Sequence, residues 1–171
     1  MSETPQAVKE YEEFQVESGG QDVLSTWFPA HDVPEGKCHG SAGICVTDNG
    51  EVVVLITQDG KSWGFPGGRP EGSESWEETL RREVREEACV EVADAKLLGF
   101  HRGECIRGHE KGLVLVRSLW LANVQLQKWV PEPETLARKL VPPNRILSEL
   151  APNVFCPLHH RALIVAGLLK A

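Results

Sequence analysis

The stretch from Ser75 to Ala88 constrains this chain more than any other. Ser75-Trp76-Glu77-Glu78 has the form of a capping box, with Ser75 as N-cap and Glu78 reaching back. Trp76, Leu80, Val84 and Ala88 recur at four-residue spacing and give a helix one apolar stripe. At about 100° per residue, with Leu80 at zero, Val84 falls near 40°, Glu87 near −20°, Glu83 near −60° and Glu86 near −120°. Glu83, Glu86 and Glu87 therefore form one carboxylate cluster, with Glu87 inside the edge of the apolar stripe. Like charges at i, i+4 cost a few tenths of a kcal/mol on an open helix, and a carboxylate at a buried edge costs more unless it is paired. A hard divalent cation removes both objections, because it binds carboxylate oxygens at close quarters. The plain alternative is a solvated face held by Glu77–Arg81, Glu78–Arg82 and Arg82–Glu86 pairs.

The flanking segments predict a mixed architecture. Gly64-Phe65-Pro66-Gly67-Gly68 is a tight loop whose glycines let backbone groups approach a ligand closely. Upstream, Ala42 to Val46 and Val52 to Ile56 are β-branched runs joined by Asp48-Asn49-Gly50, a strong hairpin signal. Two further strands are expected near Val92–Arg102 and Leu113–Val124. Pro131, Pro133, Pro142 and Pro143 mark a loop region, with a helix expected between the two pairs, and a closing helix is expected from about Leu158 to Leu169. Residues 1–20 read as a helical or loose extension ending in Gly19-Gly20, followed by a short apolar segment, Val23 to Phe28. Strands mixed with segregated helices predict an α+β chain, an α/β/α sandwich with a mixed sheet and flanking helices. The expected division is an N-terminal extension over 1–35, with a short strand in it, and one domain over 36–171.

Gly68-x5-Glu74-x7-Arg82-Glu83-Val84-x-Glu86-Glu87-x-Cys89-Val90 resembles the Nudix box, the signature of hydrolases that cleave a nucleoside diphosphate linked to another moiety. Trp63, Pro66 and Gly67 extend the likeness upstream, and Cys89 is the departure, standing where the family has Gly. That position follows the last helical turn, where a left-handed residue often closes the helix, at about 1 kcal/mol for a non-glycine. The resemblance implies a Nudix fold and a Mg²⁺- or Mn²⁺-dependent hydrolase. It makes Glu83, Glu86 and Glu87 metal ligands, together with the Gly67 carbonyl. Arg82 and Glu74 would orient those carboxylates, and the general base would be Glu83 or Glu86 in the box, or Glu132 or Glu134 on the proline-flanked loop.

Bulk composition is consistent with this expectation. Lys and Arg number 18 against 25 Asp and Glu, a net charge of −7. That argues against a stable nucleic-acid partner, which needs concentrated positive charge, but not against a small nucleotide whose phosphates a metal can neutralise. No apolar run reaches the ~20 residues that span a bilayer. Five scattered cysteines without a C-x-x-C pair suit a reducing cytoplasm. A monomer or homodimer acting on a small nucleotide is expected.

Substrate contacts are sought outside the box. Arg102, Arg107 and Lys111 concentrate positive charge between two predicted strands, and Trp120 or Trp129 could stack on a base; an exposed hairpin and buried core rings are the ordinary alternatives. The six histidines show no ligand spacing, and His159-His160 read as a helix start. The proline downstream of the box in many ADP-ribose hydrolases is missing, and so is the tyrosine of many diadenosine-polyphosphate hydrolases, since Tyr11 is the sole tyrosine. Both absences favour nucleoside di- or triphosphates. The rival readings are an isopentenyl-diphosphate isomerase on the same fold and a non-catalytic nucleotide sensor; the intact glutamates argue against both.

Overall fold

Apolar runs that no single layer could cover dictate the architecture. Val52, Val53, Val54 and Leu55 are consecutive and all buried, so helices must pack on both faces of the strand that carries them. In the computed structural model, which describes residues 6–57, 63–150 and 153–171, that is the arrangement. Val53 and Leu55 pack with Leu80, Val84 and Ala88 of helix α1 (Trp76–Ala88). Val52 and Val54 pack instead with Ile146 and Leu150 of α2 (Ile146–Leu150) and Leu158 and Leu163 of α3 (Cys156–Val165). Each such side chain contributes roughly 1.5–3 kcal/mol on burial.

Between the helices lies one nine-stranded mixed sheet. Its strands are β1 (Glu13–Ser18), β2 (Gln21–Pro29), β3 (Lys37–Val46), β4 (Val52–Thr57), β5 (Trp63–Gly64), β6 (Gly67–Gly68), β7 (Val90–Arg107), β8 (Val114–Leu126) and β9 (Thr135–Val141). The order is β1-β2-β7-β8-β3-β4-β5, with β6 on β3 and β9 on β4. The β3–β8 pairing is parallel and the others are antiparallel. The expected sandwich is thus the observed one, and the Asn49-Gly50 hairpin closes with Thr47 N–H donating to Glu51 O at 2.9 Å.

Three local expectations are corrected. Residues 13–29 are neither helical nor loose: Gly19 and Gly20, at φ 59° and 77°, turn β1 directly into β2, because a two-residue hairpin needs positive φ at both central positions. The segment between the proline pairs is strand β9, not a helix. It pairs along β4 from Val52↔Val141 to Thr57↔Thr135, satisfying an edge whose bare N–H and C=O groups would otherwise be costly to bury. The closing helix starts at Cys156 and ends at Val165, short of Leu169. Gly167, at φ 75°, stops it, as Gly167 N–H donates to Ile164 O at 2.9 Å and Leu168 N–H to Leu163 O at 3.0 Å.

Candidate functional site

Helix α1 begins where its sequence says it should: Ser75 Oγ accepts the Glu78 N–H at 3.1 Å. Its first turn is docked to the sheet by a buried polar chain. Trp120 Nε1 donates to Ser118 Oγ at 2.8 Å, Ser118 Oγ to Ser41 Oγ at 2.7 Å, and Ser41 Oγ to the Trp76 carbonyl at 2.7 Å. The Trp120 ring is therefore a core element, and its N–H is used inside the protein.

Arg82 is the hub of the polar face. Its Nε and Nη2 grip both oxygens of Glu74 at 2.8 and 2.9 Å. Nη1 reaches Glu83 at 2.8 Å and Glu86 at 3.2 Å, and Nη2 also donates to the Arg69 carbonyl at 2.8 Å. The fork geometry of guanidinium makes this possible. The Arg82 guanidinium and the Glu71 N–H hold the Glu74 carboxyl down at about 2. Glu83 is nearly covered, whereas Glu86 stays half exposed.

Glu87 points the other way, into the edge of the core. It accepts the Gly67 N–H at 3.2 Å. Burial pushes its carboxyl up to about 7, with Glu83 and Glu134 adding to the rise while Gly67 N–H and Arg117 oppose it. Strand β6 brings the Gly-Gly pair against this face. A Cβ on Gly67 would stand 2.3 Å from the Ser41 carbonyl oxygen, so glycine is required for β6 to lie so close to β3, and a Cβ on Gly68 would push the Glu83 carboxylate aside.

The far end of α1 is closed by Cys89 in the left-handed region, φ 54° and ψ 53°. Its thiol lies 3.6 Å from the Val130 carbonyl and accepts the Val130 N–H at 3.4 Å. Arg138 on β9 donates to the carbonyls of Ala88, Cys89 and Gln127 at 2.9, 3.0 and 3.1 Å, placing a cation at the negative end of the helix. Strand β9, expected as a helix, is therefore what ties down the last turn. It also sets the acidic loop: Glu132 and Glu134 are exposed, and Glu134 acts on Glu87 electrostatically.

No three His, Cys, Asp or Glu side chains among the described residues converge into a ready-made cation cage. The donor chemistry nonetheless fits a hard divalent cation. Glu83, Glu86 and Glu87 supply oxygen ligands only, and Mg²⁺ is commonly held by one or two carboxylates with waters completing the shell. Glu87 also meets the test of a carboxylate that its own surroundings leave under-neutralised.

Beside this cluster opens a cavity of about 450 Å³, within the range of small-molecule sites. Val23, Phe65, Leu115, Leu119, Phe155 and Leu158 give it apolar walls. Its polar lining includes Arg117, His39, His101 and His159. Burial holds His101 down at about 3 and His159 at about 4, with Arg117 adding to both. His159 Nδ1 is buried with no hydrogen-bond partner among the described residues.

Arg102, Arg107, Lys111 and Trp120 do not line this cavity. Arg102 stands 4.0 Å from Glu104, Arg107 is paired with Asp22 by two hydrogen bonds, and Lys111 is exposed in the turn. Arg117 was overlooked, although a lone Arg inside the apolar run Leu113–Leu121 was a legible signal. The histidines carried none, since β7 and α3 bring His101 and His159 together only in the fold.

Residues 37–157 match the family model of the NUDIX domain. The chain is 37% identical over 90 residues to an RNA pyrophosphohydrolase of Ectopseudomonas mendocina, an alignment covering 52% of this chain and 57% of that protein. It thus spans little more than half the length of that relative. The crystal structure of a Bacillus subtilis pyrophosphohydrolase superposes with a TM-score of 0.58 at 27% identity, over 75% of this chain and 76% of that one. A MutT protein from Bacillus halodurans shares the fold at 20% identity and TM-score 0.56, over 77% and 81% of the two chains. With the box seated on α1 and the family model matching most of its length, this chain belongs to the Nudix family.

Proposed function

We propose that the chain is a divalent-metal-dependent hydrolase that cleaves a phosphoanhydride in a nucleotide, with a nucleoside di- or triphosphate as the favoured substrate. The observation that carries this reading is the pairing of an Arg82-organised carboxylate face with a half-buried, under-neutralised Glu87 at the Gly67-Gly68 strand. The related proteins named as pyrophosphohydrolases lend it support.

Glu83, Glu86 and Glu87, with the Gly67 carbonyl, would hold Mg²⁺ or Mn²⁺. A cation bound there would neutralise diphosphate charge and lower the pKa of an attacking water. Arg82 and Glu74 serve as positioning residues: the guanidinium fork keeps Glu83 and Glu86 on one side of the helix. A box glutamate, Glu83 or Glu86, or a loop glutamate would take the proton from water. Of the loop pair, Glu134 is favoured over Glu132, because it is close enough to influence Glu87. The cavity would take the nucleoside end, its Phe65 and Phe155 rings flanking a base. Five free cysteines fit the cytoplasm as the working compartment, and no helix among the described residues is long and apolar enough to cross a membrane.

A chromatographic product assay over nucleoside mono-, di- and triphosphates, ADP-ribose, dinucleoside polyphosphates and isopentenyl diphosphate tests the proposal. Cleavage that depends on Mg²⁺ or Mn²⁺ and stops with chelator is expected. Nucleotide binding by folded protein with no turnover across the panel would replace the hydrolase with a sensor.

A further inference from the structure

The arginine at the polar end of the cavity has no hydrogen-bonded or ion-paired acid among the described residues, although Glu87 and Glu83 act on it from further off. On β8, Arg117 sits opposite His101 of β7 in one register and opposite Gly40, beside His39, in the other. Its guanidinium lines the cavity and makes no hydrogen bond or ion pair among the described residues. The charged groups that act on it are Glu87, Arg69 and Glu83. His39 in turn feels Arg117, Arg69 and Lys37. Arg117 also acts on His101 and His159, which burial keeps uncharged. The acid in the cavity lining, Glu110, is exposed and already accepts from Gln21 Nε2 at 3.1 Å. Arg117 therefore turns a charged fork with unmet N–H donors, among the described residues, towards an apolar chamber.

A guanidinium offers five N–H donors and is costly to leave unpaired in a partly buried place. A neutral base edge would accept from those donors but leave Arg117 and Arg69 repelling one another. A phosphate answers both needs, since it accepts two parallel N–H bonds and carries compensating charge. Resting on the nucleotide-hydrolase reading, we propose that Arg117, with Arg69 and His39 at the rim, is an anion subsite. It takes the phosphate attached to the nucleoside, on the cavity side of the carboxylate cluster. The base and sugar then occupy the apolar chamber, and the phosphate held by Arg117 presents the rest of the chain to Glu83, Glu86 and Glu87. Selection for a 5′-phosphorylated nucleoside then rests chiefly on Arg117 of β8, and not on the box carboxylates.

Calorimetric titration in excess chelator tests this without turnover. AMP, GMP, CMP and UMP are each compared with the matching nucleoside, in wild type, Arg117→Gln, Arg117→Lys and Arg69→Gln, with folding checked by thermal melting. At least one monophosphate should bind about ten-fold or more tighter than its nucleoside, the scale of a charged hydrogen-bonded contact. Arg117→Gln should bring the two affinities together, Arg117→Lys should retain part of the difference, and Arg69→Gln should reduce it. Equal affinities in wild type, or no binding, overturn the inference, as does an undiminished preference in folded Arg117→Gln. Where Arg117→Gln does not fold, Arg69→Gln decides in the same way. A protein that hydrolyses nucleotides without this preference overturns the anion subsite alone, and one that keeps the preference without hydrolysis overturns only the hydrolase reading.

Discussion

The Glu87 carboxylate accepts the backbone N–H of Gly67 at 3.2 Å, across the twenty residues that separate the helix from the Gly-Gly strand. Glu87→Gln keeps an acceptor for that N–H and removes a charge that burial disfavours. The variant should melt no lower than wild type in chelator at pH 8, yet lose about a hundred-fold or more in kcat with Mg²⁺. Near-normal turnover of the purified variant would take Glu87 out of the site.

Arg82→Lys tests the fork rather than the charge. A lysine cannot hold both Glu74 oxygens while reaching Glu83 and Glu86. The metal concentration giving half-maximal rate should rise and kcat should fall about ten-fold or more, the scale for residues that orient ligands. A metal titration equal to that of wild type would show that point charge alone is sufficient.

Arg138 donates to the carbonyls of Ala88 and Cys89 at the end of α1 and to that of Gln127 just after β8. Arg138→Met keeps an apolar stem but removes the donors and the guanidinium that lies 5.5 Å from the centre of the Trp129 ring. It should lower the unfolding free energy by about 1–3 kcal/mol in urea titration. An unchanged midpoint would mean that water replaces the guanidinium without loss.

Cys89 sits at φ 54°. Cys89→Gly relieves the left-handed strain but loses the thiol contacts to Val130 and loosens the unfolded chain, so stability should stay within about 1 kcal/mol of wild type. Cys89→Val places a β-branched residue there and should destabilise clearly more. Equal midpoints for the two variants would contradict the left-handed closure.

His101 and His159 are held near 3 and 4, below the value of about 6.5 for a free histidine. The unfolded chain therefore binds more protons, and the stability they contribute is present above pH 6.5 and lost as pH falls towards about 4. Glu87, raised to about 7, works in the opposite sense, losing stability as pH rises from its ordinary value through 7. The difference between wild type and His159→Phe isolates the histidine. That variant should lose less stability than wild type between pH 7 and 5 in urea titrations. It should match or exceed wild type at pH 7, since Nδ1 has no partner to lose among the described residues.

The helix of the box, its N-cap and the buried edge position of Glu87 were legible because each depends on spacing within one turn or two. The Asn49-Gly50 hairpin and the left-handed closure at Cys89 were legible for the same local reason. Gly19-Gly20 was an equally local signal, but an extension without a long apolar run did not look like a strand pair. Strand β9 could not be read from its own residues: Thr135 to Val141 is extended because β4 offers a buried edge, and that edge belongs to residues eighty positions earlier.

By itself the sequence determined the chemistry that is local in the chain: which carboxylates share a helix face, where that helix starts and stops, and where glycine lets backbone come close. Tertiary structure alone decided which cations face the cavity. Strand pairing turned Arg117 into the cavity and engaged Arg107 with Asp22, and it gathered His39, His101 and His159 from three elements. Periodicity says which face a side chain takes, whereas what lies opposite that face is set by sheet order and by long-range burial.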